Sequence, residues 1–306
     1  MSKDFDVLVV GELNADLILR GDVFPAFGQV EKLVDDAALT IGSSSAICAC
    51  GLARLCLRVA FSGKVGDDEF GRFMVRELAA RGIDTLGIVV DPVLKTGLTV
   101  ILSRGVDRAI LTYSGSIAAL SFDDIDLSLL PRARHLHLGS YFLLDNLRPS
   151  APRLFADAHA RGLTVSLDTN YDPAEKWDGG LIETLRHVDV FLPNEAELRA
   201  ITRIDEAGAA LESLNVPTVA VKLGARGALA RRGDEIARAD IVPMKVIDTV
   251  GAGDSFDAGF IYGYLAGWEL PRTLRFAAVC GSLSTRAAGG TAAQPTLDEA
   301  MQYVSG

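Results

Sequence analysis

The sequence predicts an α/β fold, in which a mainly parallel central sheet lies between two layers of helices. Short apolar runs of strand length alternate with helical stretches through most of the chain. The first run, at 5–10, is almost entirely apolar and ends at Gly11, as expected of a strand buried on both faces. Parallel strands joined by crossover helices produce this alternation, which predicts a three-layer architecture.

The elements follow one another in a regular order. A small-residue helix is predicted at 43–57, then a strand at 58–63 and a helix at 68–81 that Gly82 terminates. Further strands are predicted at 87–90, 135–138, 164–167, 188–192 and 218–221, and further helices at 151–161, 181–186, 194–201, 255–266 and 277–288. Because sheets of this kind bind ligands at the carboxyl ends of their strands, we expect the site there.

Two regions, at 16–41 and 96–114, interrupt the alternation. They contain extended segments, such as 97–103 and 109–113, with no helix between them. We expect these strands to pair as a small separate sheet, the alternative being an extension of the main sheet's edge. The chain has no evident linker, repeat or low-complexity tract, so we predict one domain over 1–306 together with this small sheet.

Composition narrows the class of protein. Of the 306 residues, 49% are hydrophobic and 23% charged, which is typical of a globular chain, and the net charge of −10 comes without a Lys/Arg cluster. A nucleic-acid or anionic-membrane partner is therefore disfavoured. The cysteines lack the spacing and nearby histidines of a zinc site. With no signal-peptide pattern and no apolar span of membrane length, we expect a soluble cytoplasmic protein.

The most informative stretch is 248–260, which reads DTVGAGDSFDAGF. Gly251, Ala252 and Gly253 precede a helical pattern, and free amides at the positive end of a helix dipole suit a phosphate group. Asp254 stands beside these amides. A carboxylate there suits a hydroxyl that must lose a proton while it attacks a phosphoryl group. The alternative is an ordinary turn with Asp254 as a dipole partner.

This stretch resembles the signature of the ribokinase-like (PfkB) family of carbohydrate kinases. The matching positions are Asp248, Thr249, Gly251, Ala252, Gly253, Asp254, Phe256 and Gly259. The resemblance implies transfer of a phosphoryl group from ATP, with Mg²⁺, to a hydroxyl of a sugar or nucleoside. It further implies that Asp254 is the base and that the amides of 251–254 hold the developing charge.

The resemblance also assigns substrate-binding residues. Asn14 and Asp16 follow the first strand, where the family places sugar-binding side chains; a turn stabilised by its own Asn and Asp is the alternative. Gly42 matches the family's Gly-Gly-x-x-Ala-Asn run, but Ser43 replaces the second Gly and Ile47 replaces the Asn. Since Ile47 cannot bond a hydroxyl, either the serines substitute for the amide or the substrate has an apolar part, such as a base.

A third group of residues is expected around the phosphates. Asp168 and Asn170 follow a strand, and Asn170 is also a candidate substrate-binding residue; many relatives have an Arg two residues later, where this chain has Asp172. The phosphate contact of that Arg is therefore expected to be missing, or supplied by another cation such as Lys176. Asn194 and Glu197 have the spacing of a capping box, while the family uses the same pair to organise Mg²⁺ through water.

The nucleotide itself is expected at Lys222, Gly224 and Gly227, and the helix at 277–288 is expected to form one wall of the adenine pocket. Asp248 corresponds to the residue that holds a monovalent cation in some members, so K⁺ is a further candidate. Relatives often pair through the small sheet, which makes a homodimer an expectation by analogy.

Three alternatives stay open at this stage. A nucleoside kinase of the same family differs only in its acceptor. A non-catalytic sugar or nucleotide sensor is conceivable because of Ile47 and Asp172, although the intact Asp254 argues against it. A dinucleotide-dependent oxidoreductase would need a glycine fingerprint after the first strand, and the segment 11–14 lacks the second Gly.

Overall fold

Within the described residues, 3–104 and 107–304 of a computed structural model, nine strands form the main sheet in the order β13-β12-β11-β10-β9-β8-β1-β4-β5. The strands are β1 (Phe5–Val10), β4 (Val59–Gly66), β5 (Asp84–Asp91), β8 (Ala133–Leu138), β9 (Thr164–Leu167), β10 (Val190–Phe191), β11 (Thr218–Lys222), β12 (Ala228–Arg232) and β13 (Glu235–Ala239). Every pair from β5 across to β11 is parallel, and only β12 and β13 join antiparallel. The predicted mainly parallel sheet is confirmed.

Alternate side chains of β1 show why the sheet has a helical layer on each face. Val7 and Val9 belong to one buried cluster, whereas Leu8 and Val10 belong to a second cluster on the opposite face. The helices that cover the two faces and flank the sheet are α1 (Ser44–Arg54), α2 (Glu69–Ala79), α3 (Ser116–Ala119), α4 (Ala151–Ala160), α5 (Leu181–Leu185), α6 (Glu195–Thr202), α7 (Ala207–Ser213), α8 (Ala252–Leu265), α9 (Leu270–Ser284) and α10 (Leu297–Met301). The three-layer prediction is therefore confirmed.

The second sheet is also present. It consists of β2 (Asn14–Arg20), β3 (Asp36–Ile41), β6 (Gly97–Arg104) and β7 (Asp107–Tyr113), in the order β3-β2-β6-β7. Residues 105–106 of the predicted segment lie outside the described residues. We call these four strands the small sheet. That it closes over a substrate, and that 1–306 form a single domain, stay predictions.

The structure differs from the sequence prediction in several elements. The short helices α3, α7 and α10 were not predicted. The antiparallel hairpin of β12 and β13 was not expected; at its entry Gly227 has φ 84°, and a Cβ there would lie 2.0 Å from the carbonyl oxygen of Ala239. The helix predicted at 277–288 is α9, which begins earlier, with Pro271 in its first turn, a position that proline favours. Across the described residues, no helix combines the length and apolarity needed to span a bilayer.

Candidate active site

A cleft of about 1400 Å³ lies between the small sheet and the carboxyl ends of the parallel strands. Of the site residues predicted from the sequence, those that line it are Asn14, Asp16, Ser43, Asn170, Asn194, Glu197, Lys222, Gly224, Gly227, Gly251, Ala252, Gly253 and Asp254. Gly42 and Asp248 are not part of the lining. The topology thus brings together residues from both ends of the chain, as expected of an α/β sheet.

The turn before α8 has the conformation that its glycines predict. Gly251 is the residue before the helix and has φ 73°, and a Cβ there would lie 2.6 Å from the Cα of Gly290. Only glycine fits both requirements. The amide of Ala252 donates to the Thr249 carbonyl at 3.3 Å. The amides of Gly253 and Asp254 lie in the first turn, where no carbonyl of the same helix can accept them.

Asp254 lies in this first turn, partly exposed to the cleft, and accepts a hydrogen bond from the hydroxyl of Ser44 at the start of α1. Burial raises the pKa of Asp254 to about 7, with a further contribution from the carboxylate of Asp168, while the Ser44 hydroxyl opposes the rise. Near pH 7 a carboxyl group with this pKa is present in about equal amounts as the carboxylate and the acid, so it can both accept and hold a proton.

Asn14 and Asp16 form one polar patch at the start of β2. Asn14 Nδ2 donates to Asp16 Oδ1 at 3.0 Å and to Thr99 Oγ1 at 3.1 Å. Gly42 makes room for this patch, because a Cβ on Gly42 would lie 2.1 Å from Asp16 Oδ1. Burial, together with the nearby charge of Glu12, raises the pKa of Asp16 to about 7. The patch offers both donors and acceptors to the cleft.

Ser43 and Ile47, the departures from the family run, are both packed into the structure. Ser43 has φ 68°, a region that favours glycine, and its Oγ donates to the Glu12 carbonyl at 2.6 Å and accepts the Ala46 amide at 2.9 Å. Its side chain therefore caps α1. Ile47 lies against the glycine loop, since a Cβ on Gly290 would be 2.5 Å from Ile47 Cδ1.

Glu12 is a buried acidic residue that sequence reasoning did not single out. Its carboxylate accepts from Ser140 Oγ at 2.7 Å, from the Ser45 amide at 3.2 Å and from the Ser45 hydroxyl. Burial raises the pKa of Glu12. A charged residue two positions after a fully buried strand was the signal that could have identified it.

Lys222 was expected to contact phosphate, but its ammonium group is held by two carboxylates. Lys222 Nζ donates to Asp168 Oδ2 at 2.7 Å and to Asp257 Oδ2 at 3.0 Å. Burial alone would raise the pKa of Asp168, but Lys222 holds it down at about 2. Asp257 was not predicted: it lies in the second turn of α8, and no local pattern links it to Lys222.

Asn194 and Glu197 form the capping box of α6. Asn194 Oδ1 accepts the Glu197 amide and Glu197 Oε2 accepts the Asn194 amide, both at 2.9 Å. Both side chains also line the cleft. Burial raises the pKa of Glu197 to about 7, with a smaller contribution from Asp168. Capping and a role at the cleft are thus compatible for this pair.

Asp172, where the resemblance led us to expect an Arg, holds a turn together. Its carboxylate accepts the amides of Ala174, Lys176 and Trp177 at 2.7–2.9 Å. Lys176 is exposed and is not among the described residues that line the cleft. Neither residue therefore replaces the missing Arg directly. Asn170, at φ 54°, lies nearby and donates from Nδ2 to Ser140 Oγ at 3.2 Å.

The opposite end of the cleft is lined by glycines and apolar side chains. Gly224 borders it with φ 59°, whereas the close neighbour of Gly227 is the β13 backbone described above. The lining here includes Val242, Met244, Ala278, Gly281, Ser282 and Thr285. The last four come from α9 and the residue that follows it, within the region predicted as a wall of the nucleotide pocket.

Asp248 lies beside the cleft and ties two loops together. Its Oδ1 accepts the Val250 amide and its Oδ2 accepts the Gly289 amide, both at 3.0 Å. The guanidinium of Arg108, from β7, comes within 3.9 Å of Asp248 Oδ1. Asp248 therefore links the turn before α8 to the glycine pair after α9.

Comparison with known proteins places this geometry in a family. The family model described as "pfkB family carbohydrate kinase" matches residues 4–297. The chain belongs to the pfkB family of carbohydrate kinases. The resemblance inferred from 248–260 is confirmed, and this pfkB protein is accordingly a phosphotransferase with an alcohol group as acceptor.

Relatives of this pfkB kinase include two that cover nearly its whole length. It is 30% identical to the 5-dehydro-2-deoxygluconokinase of Geobacillus kaustophilus, over 99% of this chain and 94% of the relative. It is 31% identical to the ATP-dependent ribose-1-phosphate kinase of Halopiger xanaduensis, over 98% of both chains. Its fold matches the crystal structure of a putative ribokinase II from E. coli in complex with ATP and Mg²⁺, with a TM-score of 0.86 at 24% identity, over 100% of this chain and 99% of that one.

Proposed function

We propose that this protein transfers the γ-phosphoryl group of MgATP to a hydroxyl group of a sugar, with Asp254 as the general base. The observation that carries the proposal is the position of Asp254. Asp254 lines the same cleft as Asn14 and Asp16 and as Gly224 and Gly227, and it lies in the first turn of α8, where the backbone amides of Gly253 and Asp254 are free. A raised pKa suits it to accept a proton.

The proposed step forms one bond and breaks one. The acceptor hydroxyl oxygen attacks the γ-phosphorus, the bond from the γ-phosphorus to the β,γ-bridging oxygen breaks, and ADP leaves with that electron pair. The hydroxyl proton passes to the Asp254 carboxylate, which Ser44 holds by a hydrogen bond. Of the amides of 251–254, that of Ala252 donates to the Thr249 carbonyl, and those of Gly253 and Asp254 are left to stabilise the charge on the transferring group, fixed in place before the reaction begins.

Mg²⁺ is proposed to be held largely through water. Glu197, Asn194 and Asp168 offer oxygen ligands, the type that Mg²⁺ prefers, but capping and Lys222 already engage them. Oxygen ligands that are already hydrogen-bonded in this way fit a Mg²⁺ ion that keeps several of its waters and binds phosphate oxygens directly. When bound, Mg²⁺ neutralises phosphate charge. The E. coli relative whose structure contains ATP and Mg²⁺ supports this part of the proposal.

A monovalent cation such as K⁺ is proposed near Asp248, although both carboxylate oxygens already accept backbone amides. The carboxylate oxygens keep further lone pairs for such an ion. Activity measured in potassium chloride and in tetramethylammonium chloride at equal ionic strength tests it. Equal rates in the two salts would remove K⁺ from the proposal.

A sugar is proposed over a nucleoside as acceptor. The two relatives at 30% and 31% identity are named for a sugar acid derivative and a sugar phosphate. The small-sheet side of the cleft also offers hydroxyl-binding groups in Asn14, Asp16 and Thr99. A panel of sugars and nucleosides with MgATP, followed by ADP release, tests this choice. Turnover of nucleosides alone would reverse it.

Three further parts of the proposal concern the lid, the oligomeric state and the cellular compartment. We propose that the small sheet acts as a lid over the sugar, and that its exposed face, with Leu111 and Tyr113 at 60% and 55% exposure, pairs two copies as a homodimer. The four free cysteines support a reducing, cytoplasmic compartment. Sedimentation of the protein with and without Leu111→Asp tests the homodimer.

A further inference from the structure

On the face of the small sheet that lines the cleft, the side chains change from polar to apolar to basic along the strands. Arg108, Ile110 and Thr112 alternate along β7, so their side chains share one face, and all three line the cleft. Their cross-strand partners on β6 are Ser103, Ile101 and Thr99, in that order. Thr99 in turn pairs with Asp16 on β2.

These pairings define three rows across the sheet. The first row is polar (Asp16, Thr99, Thr112), the second is apolar (Ile101, Ile110), and the third contains Arg108 with Ser103. Successive rows are about 7 Å apart, since a strand rises ~3.3 Å per residue. The long side chain of Arg108 can reach back toward the apolar row. A ligand lying along this face meets hydroxyl-binding groups first, then an apolar surface, then a cation.

The guanidinium of Arg108 still has hydrogen bonds to give. Among the described residues, its only ion-pair contact is with Asp248 Oδ1 at 3.9 Å, which is too long for a hydrogen bond. Arg108 and Lys222 are the two basic side chains among the described residues that line the cleft. Because Asp168 and Asp257 already hold Lys222, Arg108 is the cation available to a ligand on the small-sheet side.

Ile47 points to the same kind of ligand. Its apolar side chain lines the cleft and packs on Gly290. Together with Ile101, Ile110 and Ile117 it makes part of the substrate region apolar. A ligand that lacks one hydroxyl there avoids burying an unpaired polar group.

We propose that the substrate is an anionic sugar derivative, whose carboxylate or phosphate group binds Arg108 while the accepting hydroxyl lies at Asp254. This inference rests on the proposed kinase function and specifies its substrate class. A guanidinium group binds either anion in a bidentate manner. The alternative, in which Arg108 serves only to neutralise Asp248, predicts no preference for anions.

The first experiment measures kcat/KM with MgATP by coupled ADP release. The compounds are 5-dehydro-2-deoxygluconate and ribose 1-phosphate, with fructose and ribose as neutral counterparts, so that the carboxylate and phosphate arms are separate. At least one anion is expected to be used more than tenfold better than its neutral counterpart. Arg108→Gln should then lower kcat/KM for that anion by between about 10- and 100-fold, the usual effect of a lost hydrogen bond to a charged group, mainly through KM.

Two variants control for charge and for folding. Arg108→Lys keeps the charge and should retain part of the activity. Arg20→Gln removes another arginine of the small sheet, which pairs with Ser103 in the same row but bonds Asp36 at 2.7 Å and lies outside the cleft lining. It should change kcat/KM less than about threefold, as expected for an exposed ion pair. Neutral sugars should respond equally little to Arg108→Gln.

Binding provides a readout that does not need turnover. Calorimetry on Asp254→Asn and on Asp254→Asn/Arg108→Gln should show that the anion binds at least tenfold more weakly without Arg108. Phosphorylation of neutral sugars with no preference for anions would overturn the anionic subsite and leave the kinase standing. If the anion binds in an Arg108-dependent manner but the wild-type protein phosphorylates none of the compounds, the anionic subsite stands and the proposed kinase function is overturned. Anion binding that is equal in the two variants would also overturn the subsite.

Discussion

Lys222 Nζ lies 3.0 Å from Asp257 Oδ2 and 2.7 Å from Asp168 Oδ2, so one buried ammonium group joins the ends of β9 and β11 to α8. Lys222→Met should destabilise the fold by about 3–5 kcal/mol, because it leaves two buried carboxylates without their cation. Urea unfolding measures this. Arg72→Met, at exposed pairs with Asp67 and Glu69, is the control and should leave the urea midpoint nearly unchanged. Similar losses for both variants would contradict the prediction.

Asp254→Asn should lower the rate of phosphoryl transfer by at least about 10²- to 10⁴-fold, the usual contribution of a general base. Its affinity for ATP, measured by calorimetry, should stay within a few fold. Asp145→Asn provides a matched control, since Asp145 also lines the cleft but is 62% exposed and pairs with Arg148. Full activity in Asp254→Asn would refute the assignment of the base.

The pKa of about 7 for Asp254 predicts the acid limb of the pH profile. The base works only when ionised, so kcat/KM should be flat well above pH 7 and fall tenfold per pH unit below it. Ser44→Ala removes a hydrogen bond that lowers this pKa, so the limb should move to higher pH. If the limb stays in place in Ser44→Ala, another group controls it.

Two glycines of one turn should differ in their tolerance of a methyl group. Gly251→Ala places Cβ at positive φ and 2.6 Å from the Gly290 Cα, so both stability and transfer should fall, stability by more than about 1 kcal/mol. In Gly253→Ala the Cβ would meet Lys222 Cδ at 3.6 Å, an ordinary contact, and the helix should be stabilised by up to about 1 kcal/mol. Thermal unfolding and ADP release separate the two variants.

Glu197 should make stability depend on pH. Its folded pKa of about 7 is above the usual 4.5, so its contribution is fully present below pH 4.5 and is lost as the pH rises through 7. Glu197→Gln cannot ionise and keeps the capping pattern. The variant should therefore match the wild type near pH 4.5 and exceed it by about 3 kcal/mol at pH 8, while its activity falls. A difference that is the same at both pH values would count against this.

Local patterns predicted most of the strands, most helices and the small sheet, because hydrophobic periodicity and glycine positions act within a few residues. The capping box of Asn194 and Glu197 was readable for the same reason. Contacts between distant segments could not be predicted in this way. The pairing of Lys222 with Asp257, and of Ser44 with Asp254, depends on how α1, α8 and β11 pack. Asp172 shows what a family resemblance cannot predict. Its carboxylate accepts three backbone amides of a local turn, and the resemblance, which implies an Arg at this position, gives no indication of that turn.

The bond between Ser44 and Asp254 joins the amino-terminal ends of two long helices, so their partial positive charges converge on one point of the cleft. One of these helices begins where the small sheet ends, directly after β3, and the other follows the glycine turn. If the small sheet shifts when a substrate binds, α1 and the Ser44 hydroxyl would carry that shift to Asp254, the proposed base. Such a shift would couple the position of the proposed base to the presence of the acceptor.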